Sequence, residues 1–213
     1  MSQIVVMARW PSPGRCKRRL SRDLAQGLGL RQAPERAMRI QRRLTGHTAS
    51  VVTAIEDELL RPPVLAVSGL GQRGALRWGR QLGISVVRQQ GHGNLGCRLK
   101  RQLLQSRRDG HSCLMIGTDL PDLCPGDLRQ AMDRLESHDL VLGPAEDGGY
   151  WLLGVGRSLM QHPEAWPLIG IPWGKTDVLQ KTLSAADAAG LSSTTVMLKG
   201  DIDHAQDLQR WQG

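Results

Sequence analysis

The feature that most constrains this chain is an alternation. Short apolar runs too brief to be helices recur along it, separated by stretches whose apolar residues repeat every three or four positions. The runs are QIVVMA (3–8), PVLAVSG (63–69), ISVVRQQ (84–90), SCLMIG (112–117), DLVLG (139–143), GYWLLGV (149–155) and TTVMLK (194–199). Continuous rather than alternating apolar character marks strands buried on both faces. Between them lie helical stripes: Ala33, Ala37, Ile40 and Leu44, with Pro34 at a first helical position; 75–83, ending at Gly83; Leu95, Leu99 and Leu103; and Leu128, Ala131, Met132 and Leu135 behind Pro125. A further helix is expected over 177–189, capped by Thr176 and Gly190, and a short closing helix over HAQDLQRW. Strands alternating with helices predict βαβ units and a mostly parallel sheet covered on both faces. DLVLG followed closely by GYWLLGV breaks the rhythm and predicts an antiparallel or mixed patch. No linker or repeat divides the 213 residues, so one domain spanning 1–213 is expected.

With six Trp, one Tyr and no Phe, the core must rest on aliphatic side chains. No segment approaches the ~18–20 apolar residues of a membrane span. The run IVVMA is too short for a signal-peptide core, so a cytoplasmic protein with reduced cysteines and no membrane partner is expected. The net charge of +8 is uneven: residues 9 to 43 hold eleven Lys or Arg against Asp23 and Glu35. Such a stretch suits an acidic partner. Trp10 is its only aromatic residue, so the stacking platforms of single-strand binders are missing, and a phosphate-bearing small molecule is the better fit than nucleic acid.

In open α/β sheets, ligands sit beyond the carboxyl ends of the strands. Three polar segments fall there. ARWPSPGRCKRRL follows the first strand; its Gly14 permits close backbone approach, and Arg15, Lys17, Arg18 and Arg19 suit a diphosphate, although this loop itself carries neither GxxxxGK[ST] nor GxGxxG. GTDLPDL follows the fourth strand and offers Asp119, either a ligand for Mg²⁺ or Mn²⁺ or the start of an Asx-type turn. GPAEDGGY follows the fifth. Its Glu146 and Asp147 can complete a metal site, act as a general base, or form a solvated hairpin tip. Asp201 and Asp203 follow the last strand, where Asp203 is a metal-ligand candidate or an N-cap for the closing helix. GxSxG, HxxxH and a telling Cys–His arrangement are all missing from the sequence.

Together MARWPSPGRCKRRL, QQGHGNLGCRL, LMIGTDLPDL, LGPAEDGGYWLLGV, GIPWGKTDVLQKTL and DIDHAQDLQRW resemble, in order, a family of small bacterial GT-A-like glycosyltransferases. That family was formerly a domain of unknown function and is associated with radical-SAM proteins and arsenosugar biosynthesis. It is similar in fold to nucleotide-diphospho-sugar transferases and to the guanylyltransferases of molybdopterin and deazaflavin synthesis. The resemblance implies a three-layer α/β/α GT-A fold, Rossmann-like, with a mostly parallel mixed sheet. It implies a metal-binding role for Asp119; with the acidic segments read above, the expected divalent metal (Mg or Mn) is held by Asp119 and Asp203, and Asp147 and Glu146 are the expected catalytic carboxylates. It implies ligand contacts from Ala8, Arg9, Pro13, Gly14, Lys17, Arg19, Asn94, Tyr150 and Trp173, with Gly14, Lys17 and Arg19 on the nucleotide's phosphates and AEDGGY and IPW on the acceptor side. The expected activity is metal-dependent transfer of a sugar from a nucleotide-sugar donor to a small-molecule acceptor. Pyrophosphate-releasing nucleotidyl transfer is the alternative, and a basic nucleic-acid-binding module a third. Three positions depart from the family pattern: Arg18 stands for Thr, Asn94 for an acid and Leu120 for Ser.

Overall fold

The computed structural model describes residues 2–107 and 110–211. Its seven strands are β1 Ser2–Arg9, β2 Val64–Ser68, β3 Val86–Gln89, β4 Ser112–Ile116, β5 Leu140–Pro144, β6 Tyr150–Val155 and β7 Ser193–Thr195. They form one sheet in the order β3-β2-β1-β4-β6-β5-β7. Pairing is parallel throughout except that β6 lies antiparallel between β4 and β5. The hairpin anticipated from DLVLG and GYWLLGV is therefore the one reversal, and it inserts its second strand into the middle of the sheet.

Consecutive residues of β1 divide between the two faces as the pleat requires. Ile4, Val6 and Ala8 enter a core with Val52, Ala75, Trp78, Leu128 and Ala131. Val5 faces the other way, into a core with Leu99, Leu103, Leu159, Met160 and Ala186. The first core is roofed by α2 (Ala33–Thr53), α3 (Gln72–Gln81) and α5 (Pro125–Arg134); the second by α4 (Leu95–Ser106), α6 (Arg157–Met160) and α7 (Val178–Ala188). Helices on both faces of a mostly parallel sheet make three α/β/α layers, and apolar partners on both sides explain the unbroken hydrophobic runs.

The structure corrects several expectations. A helix not anticipated from the pattern, α1 (Arg18–Leu28), begins inside RCKRRL; Leu20 and Leu24 pack with Ala33, Ala37, Leu44 and Ile202 as a third cluster. β7 covers only Ser193–Thr195, because Met197 and Leu198 turn outward and Lys199 makes an isolated bridge to Ala145. Thr176 does not cap α7: Asp177 holds the N-cap position, without a side-chain hydrogen bond. Gly190 does follow the helix in the left-handed conformation, with φ 68°. The closing segment Ala205–Trp211 is a 3₁₀ helix. Asp207 reaches back from it to accept the backbone N–H groups of Asp203 (2.9 Å) and His204 (2.6 Å), so Asp203 is not its cap.

Candidate functional site

β1, β4 and β5 run parallel, so the loops after them open along one rim of the sheet. There they border two adjoining clefts. The larger, about 500 Å³, is lined by Arg9, Arg15, Lys17, Arg18 and Arg19 and floored by Met7, Met115 and Leu153. The smaller, about 270 Å³, is lined by Asp147, Asp201, Lys175, Tyr150, Trp151 and Trp173. Asp119, Leu95, Gly117, Tyr150 and Trp151 border both clefts.

The first cleft centres on Lys17. Its side chain is 3% exposed, and its Nζ lies 3.1 Å from Asp119 Oδ1 and 3.1 Å from Asp203 Oδ1. Burial pulls the lysine's pKa down, but the two carboxylates more than offset it and hold the group above the ordinary lysine value. Lys17 is also the single non-glycine residue with positive φ (45°) among the described residues. A left-handed lysine costs conformational energy, here retained where the ion pairs fix the side chain. On the rim, Arg19 reaches Asp203 Oδ2 at 3.2 Å. Gln41, buried on α2, donates to Asp119 Oδ1 (3.0 Å) and to Thr118 Oγ1 (3.2 Å), which sets the aspartate's position. Sequence reasoning missed Gln41; the available signal was a polar residue four positions beyond Ala37 on a stripe that is otherwise apolar.

The acidic turn after β5 is held from two sides. Asp147 Oδ1 accepts the Gly149 N–H at 2.9 Å, and the Gly148 carbonyl accepts the Leu179 N–H at 3.0 Å. Gly148 has φ 84°, and a Cβ there would overlap the Thr176 carbonyl oxygen, so glycine is required by both conformation and contact. Trp173 comes from the loop before α7. It lies edge-on to Tyr150, ring centroids 6.0 Å apart, and crosses Gly96 so closely that a Cβ there would overlap its indole nitrogen.

Asp201 lines the smaller cleft. Burial, then the neighbouring carboxylate of Asp203, push its pKa up to about 6 against the pull of Lys17, with Asp147 and Asp119 adding to the rise. A carboxyl whose folded pKa is raised costs stability when ionised. The cost is absent below its unfolded pKa, grows through the interval up to about 6, and is complete above. Asp201→Asn is therefore expected to stabilise the fold by about 1 kcal/mol near neutrality, discounted for solvent screening, and to confer nothing near pH 4. Denaturant titrations of both proteins at the two pH values check this.

The structure gathers most of the anticipated residues. Arg9, Lys17, Arg19, Asp119, Asp203 and Tyr150 line the larger cleft; Asp119, Asp147, Tyr150 and Trp173 line the smaller. Others stand apart. Ala8 is buried, its carbonyl accepting from Gln90 Nε2 at 3.0 Å. Pro13 and Gly14 are exposed on the loop beside the cleft without lining it. Asn94 caps α4, its Oδ1 accepting from Cys97 N at 3.0 Å, and lines neither cleft. Glu146 is exposed and likewise outside both.

Asp119 and Asp203 offer hard oxygen donors of the kind Mg²⁺ and Mn²⁺ take, in the small number such ions use when substrate phosphates complete the shell. Their shared affinity for positive charge is visible in the Lys17 ammonium that bridges them. These residues fit the ion implied by the resemblance. Among the described residues, no group of three or more metal-ligating His, Cys, Asp or Glu side chains is assembled in advance.

The sequence pattern of a bacterial family described as an uncharacterized protein conserved in bacteria (DUF2064) matches residues 51–175. The chain belongs to this family. The matched stretch carries Asp119, Asp147, Tyr150 and Trp173, whereas the Lys17 loop and Asp203 lie outside it. No curated protein matches. Among solved structures, a protein from Desulfovibrio desulfuricans G20, described as a candidate nucleotide-diphospho-sugar transferase, superposes with a TM-score of 0.83 at 24% identity, over 97% of this chain and 84% of that one. Glucosyl-3-phosphoglycerate synthase from Mycobacterium tuberculosis, in complex with Mn²⁺, UDP and glucosyl-3-phosphoglycerate, gives 0.59 at 12% identity over 98% and 74%. A nucleotidyl transferase from Methanothermobacter thermautotrophicus gives 0.59 at 19% identity over 99% and 95%. These likenesses establish the GT-A-like nucleotide-diphospho-sugar transferase fold. No helix among the described residues is long and apolar enough to cross a membrane.

Proposed function

We propose that the protein, acting as one GT-A-like unit, is a metal-dependent glycosyltransferase that moves a sugar from a nucleotide-sugar donor to a small-molecule acceptor. The observation that carries this reading is the division of the rim into a cationic cleft and an aromatic, acidic one that meet at Asp119. Two substrates placed side by side, with the reacting bond at the junction, are what group transfer requires.

In this reading the donor's diphosphate lies against Arg15, Lys17, Arg18 and Arg19. The start of α1 adds backbone N–H groups, since Lys17 at its N-cap makes no side-chain cap. Asp119 and Asp203 hold the divalent ion, which when bound neutralises charge on the departing diphosphate. Engaging those carboxylates elsewhere releases Lys17 to face the same phosphates. Asp147, with Oδ1 fixed by Gly149, presents its remaining oxygen to orient or deprotonate the acceptor hydroxyl. Glu146 and Asn94 take no part in this scheme. The association with radical-SAM proteins and arsenosugars rests on the motif resemblance alone.

Nucleotidyl transfer is kept as a second reading because the chain matches the Methanothermobacter nucleotidyl transferase over nearly the full length of both. Assaying the chain with Mn²⁺ or Mg²⁺ against nucleotide sugars and against nucleoside triphosphates separates the two. Glycosyl transfer predicts chelator-sensitive release of nucleoside diphosphate, and stabilisation by about 2.7 kcal/mol when the cognate donor is at 100 times its Kd. Pyrophosphate release from a triphosphate, with no diphosphate from any sugar donor, would establish the second reading instead.

A further inference from the structure

The two clefts differ in charge, and the difference constrains the acceptor. The larger is lined by five cationic side chains, with Asp119 and Asp203 as its acids. The smaller reverses this: Asp119, Asp147 and Asp201 face a single cation, the exposed Lys175. Even with Asp119 engaged at the junction, Asp147 and Asp201 outnumber it. The rest of the lining is apolar or aromatic, from Leu95, Leu120, Val178, Tyr150, Trp151 and Trp173. Leu95 is 46% exposed, on a helix whose other leucines at the same spacing, Leu99 and Leu103, are buried. An exposed leucine beside Trp173 and Tyr150 is apolar surface available to a ligand.

From this we infer that the acceptor is a hydroxyl compound with an apolar face and no anionic group, neutral or cationic, that lays its apolar side on Trp173, Tyr150 and Leu95 and turns its hydroxyl toward Asp147. This rests on the assignment of the cationic cleft to the donor. A carboxylate or phosphate on the acceptor would meet like charges in a cleft with low-dielectric walls, and like-charge juxtaposition is how interfaces reject wrong partners. The acidic turn thus selects substrate as well as serving the chemistry.

Saturation-transfer NMR titrations test the inference on the full chain at about pH 8, where the phenol of each probe is neutral. The probes are tyramine, tyrosol and 4-hydroxyphenylacetate, which share a phenol ring and differ at the far end as cation, neutral hydroxyl and anion. Each is titrated in buffer alone and with UDP and Mn²⁺. Tyrosol and tyramine are expected to bind at least about tenfold tighter than the anion. Asp147→Asn keeps an oxygen for the Gly149 N–H while removing the charge, and is expected to narrow that gap about threefold. The inference is overturned if the anion binds as tightly as its neutral counterpart, if none of the three binds, or if neither Asp147→Asn nor Asp201→Asn changes the gap. A separate UDP titration, with and without Mn²⁺, reads the donor assignment: its failure removes that assignment, whereas the ranking of the three probes reports on the smaller cleft by itself.

Discussion

Asp119→Asn is expected to lower metal-dependent turnover by on the order of 10²–10³-fold, the usual loss when one well-placed charge-stabilising group is removed. The same substitution should strengthen binding of a nucleoside diphosphate in metal-free buffer. The two effects have opposite signs because Asp119 has two partners. In the structure its Oδ1 neutralises the buried Lys17 ammonium at 3.1 Å, a contact shared with Asp203. An incoming diphosphate must compete with both carboxylates for that lysine. With asparagine in place, one competitor has lost its charge, and Lys17 offers more of its own to the phosphates; a gain of severalfold follows from a charge-assisted contact of ordinary strength. When the ion is present, the missing carboxylate instead weakens its hold and the stabilisation of the leaving group. Asp203 still pairs with Lys17 and Gln41 still finds an oxygen, so the fold is expected to survive. Steady-state diphosphate release and UDP calorimetry with and without chelator check both halves. A variant with undiminished metal-dependent turnover removes Asp119 from the mechanism.

Much of this site was legible in the residues because it follows from topology. Once QIVVMA, SCLMIG and DLVLG are recognised as parallel buried strands, the loops behind them must share a rim, and Lys17, Asp119 and Asp147 come to that rim without any knowledge of side-chain geometry, Asp119 bordering the cleft of each of the other two. What escaped the sequence was how local groups are used. Asn94 reads as a ligand residue, and what the sequence did not show is that its Oδ1 accepts the Cys97 N–H, as a short amide at the start of a helix does. Asp203 reads equally as a cap or a ligand, and only the position of Asp207, four residues on, frees it for Lys17. The helix α1 was hidden because it opens on two arginines directly after Lys17 and its few buried residues, Leu20 and Leu24, find partners on α2 and at Ile202, far along the chain. The charge division between the clefts likewise depends on side-chain direction. Glu146 and Asp147 are adjacent in the sequence, yet only Asp147 borders a cleft.

The largest structural effect is expected at Gly148. Replacing it with alanine should cost about 3 kcal/mol of stability and weaken ligand binding in the smaller cleft while leaving the affinity for UDP nearly unchanged. Two penalties combine. The φ of 84° lies where a Cβ is strained, which alone costs about 1 kcal/mol. The added atom would also overlap the Thr176 carbonyl oxygen and stand 2.6 Å from its carbonyl carbon, both backbone atoms that cannot rotate away. Relief requires the turn and the segment before α7 to separate, which breaks the Leu179 N–H to Gly148 hydrogen bond at 3.0 Å. That segment carries Trp173, Gly174 and Lys175, so the wall of the smaller cleft moves with it, whereas the Lys17 loop is anchored elsewhere, through Asp203 and Asp119. Gly174 supplies the comparison, since it has the same φ of 84° and a Cβ added there would meet nothing within 4 Å. Gly174→Ala should therefore lose only the conformational part, about 1 kcal/mol. Denaturant midpoints for the two variants, with tyrosol and UDP affinities measured on each, separate the contributions. Equal losses at both positions would mean that backbone strain, and not the contact with Thr176, is what fixes glycine in the acidic turn.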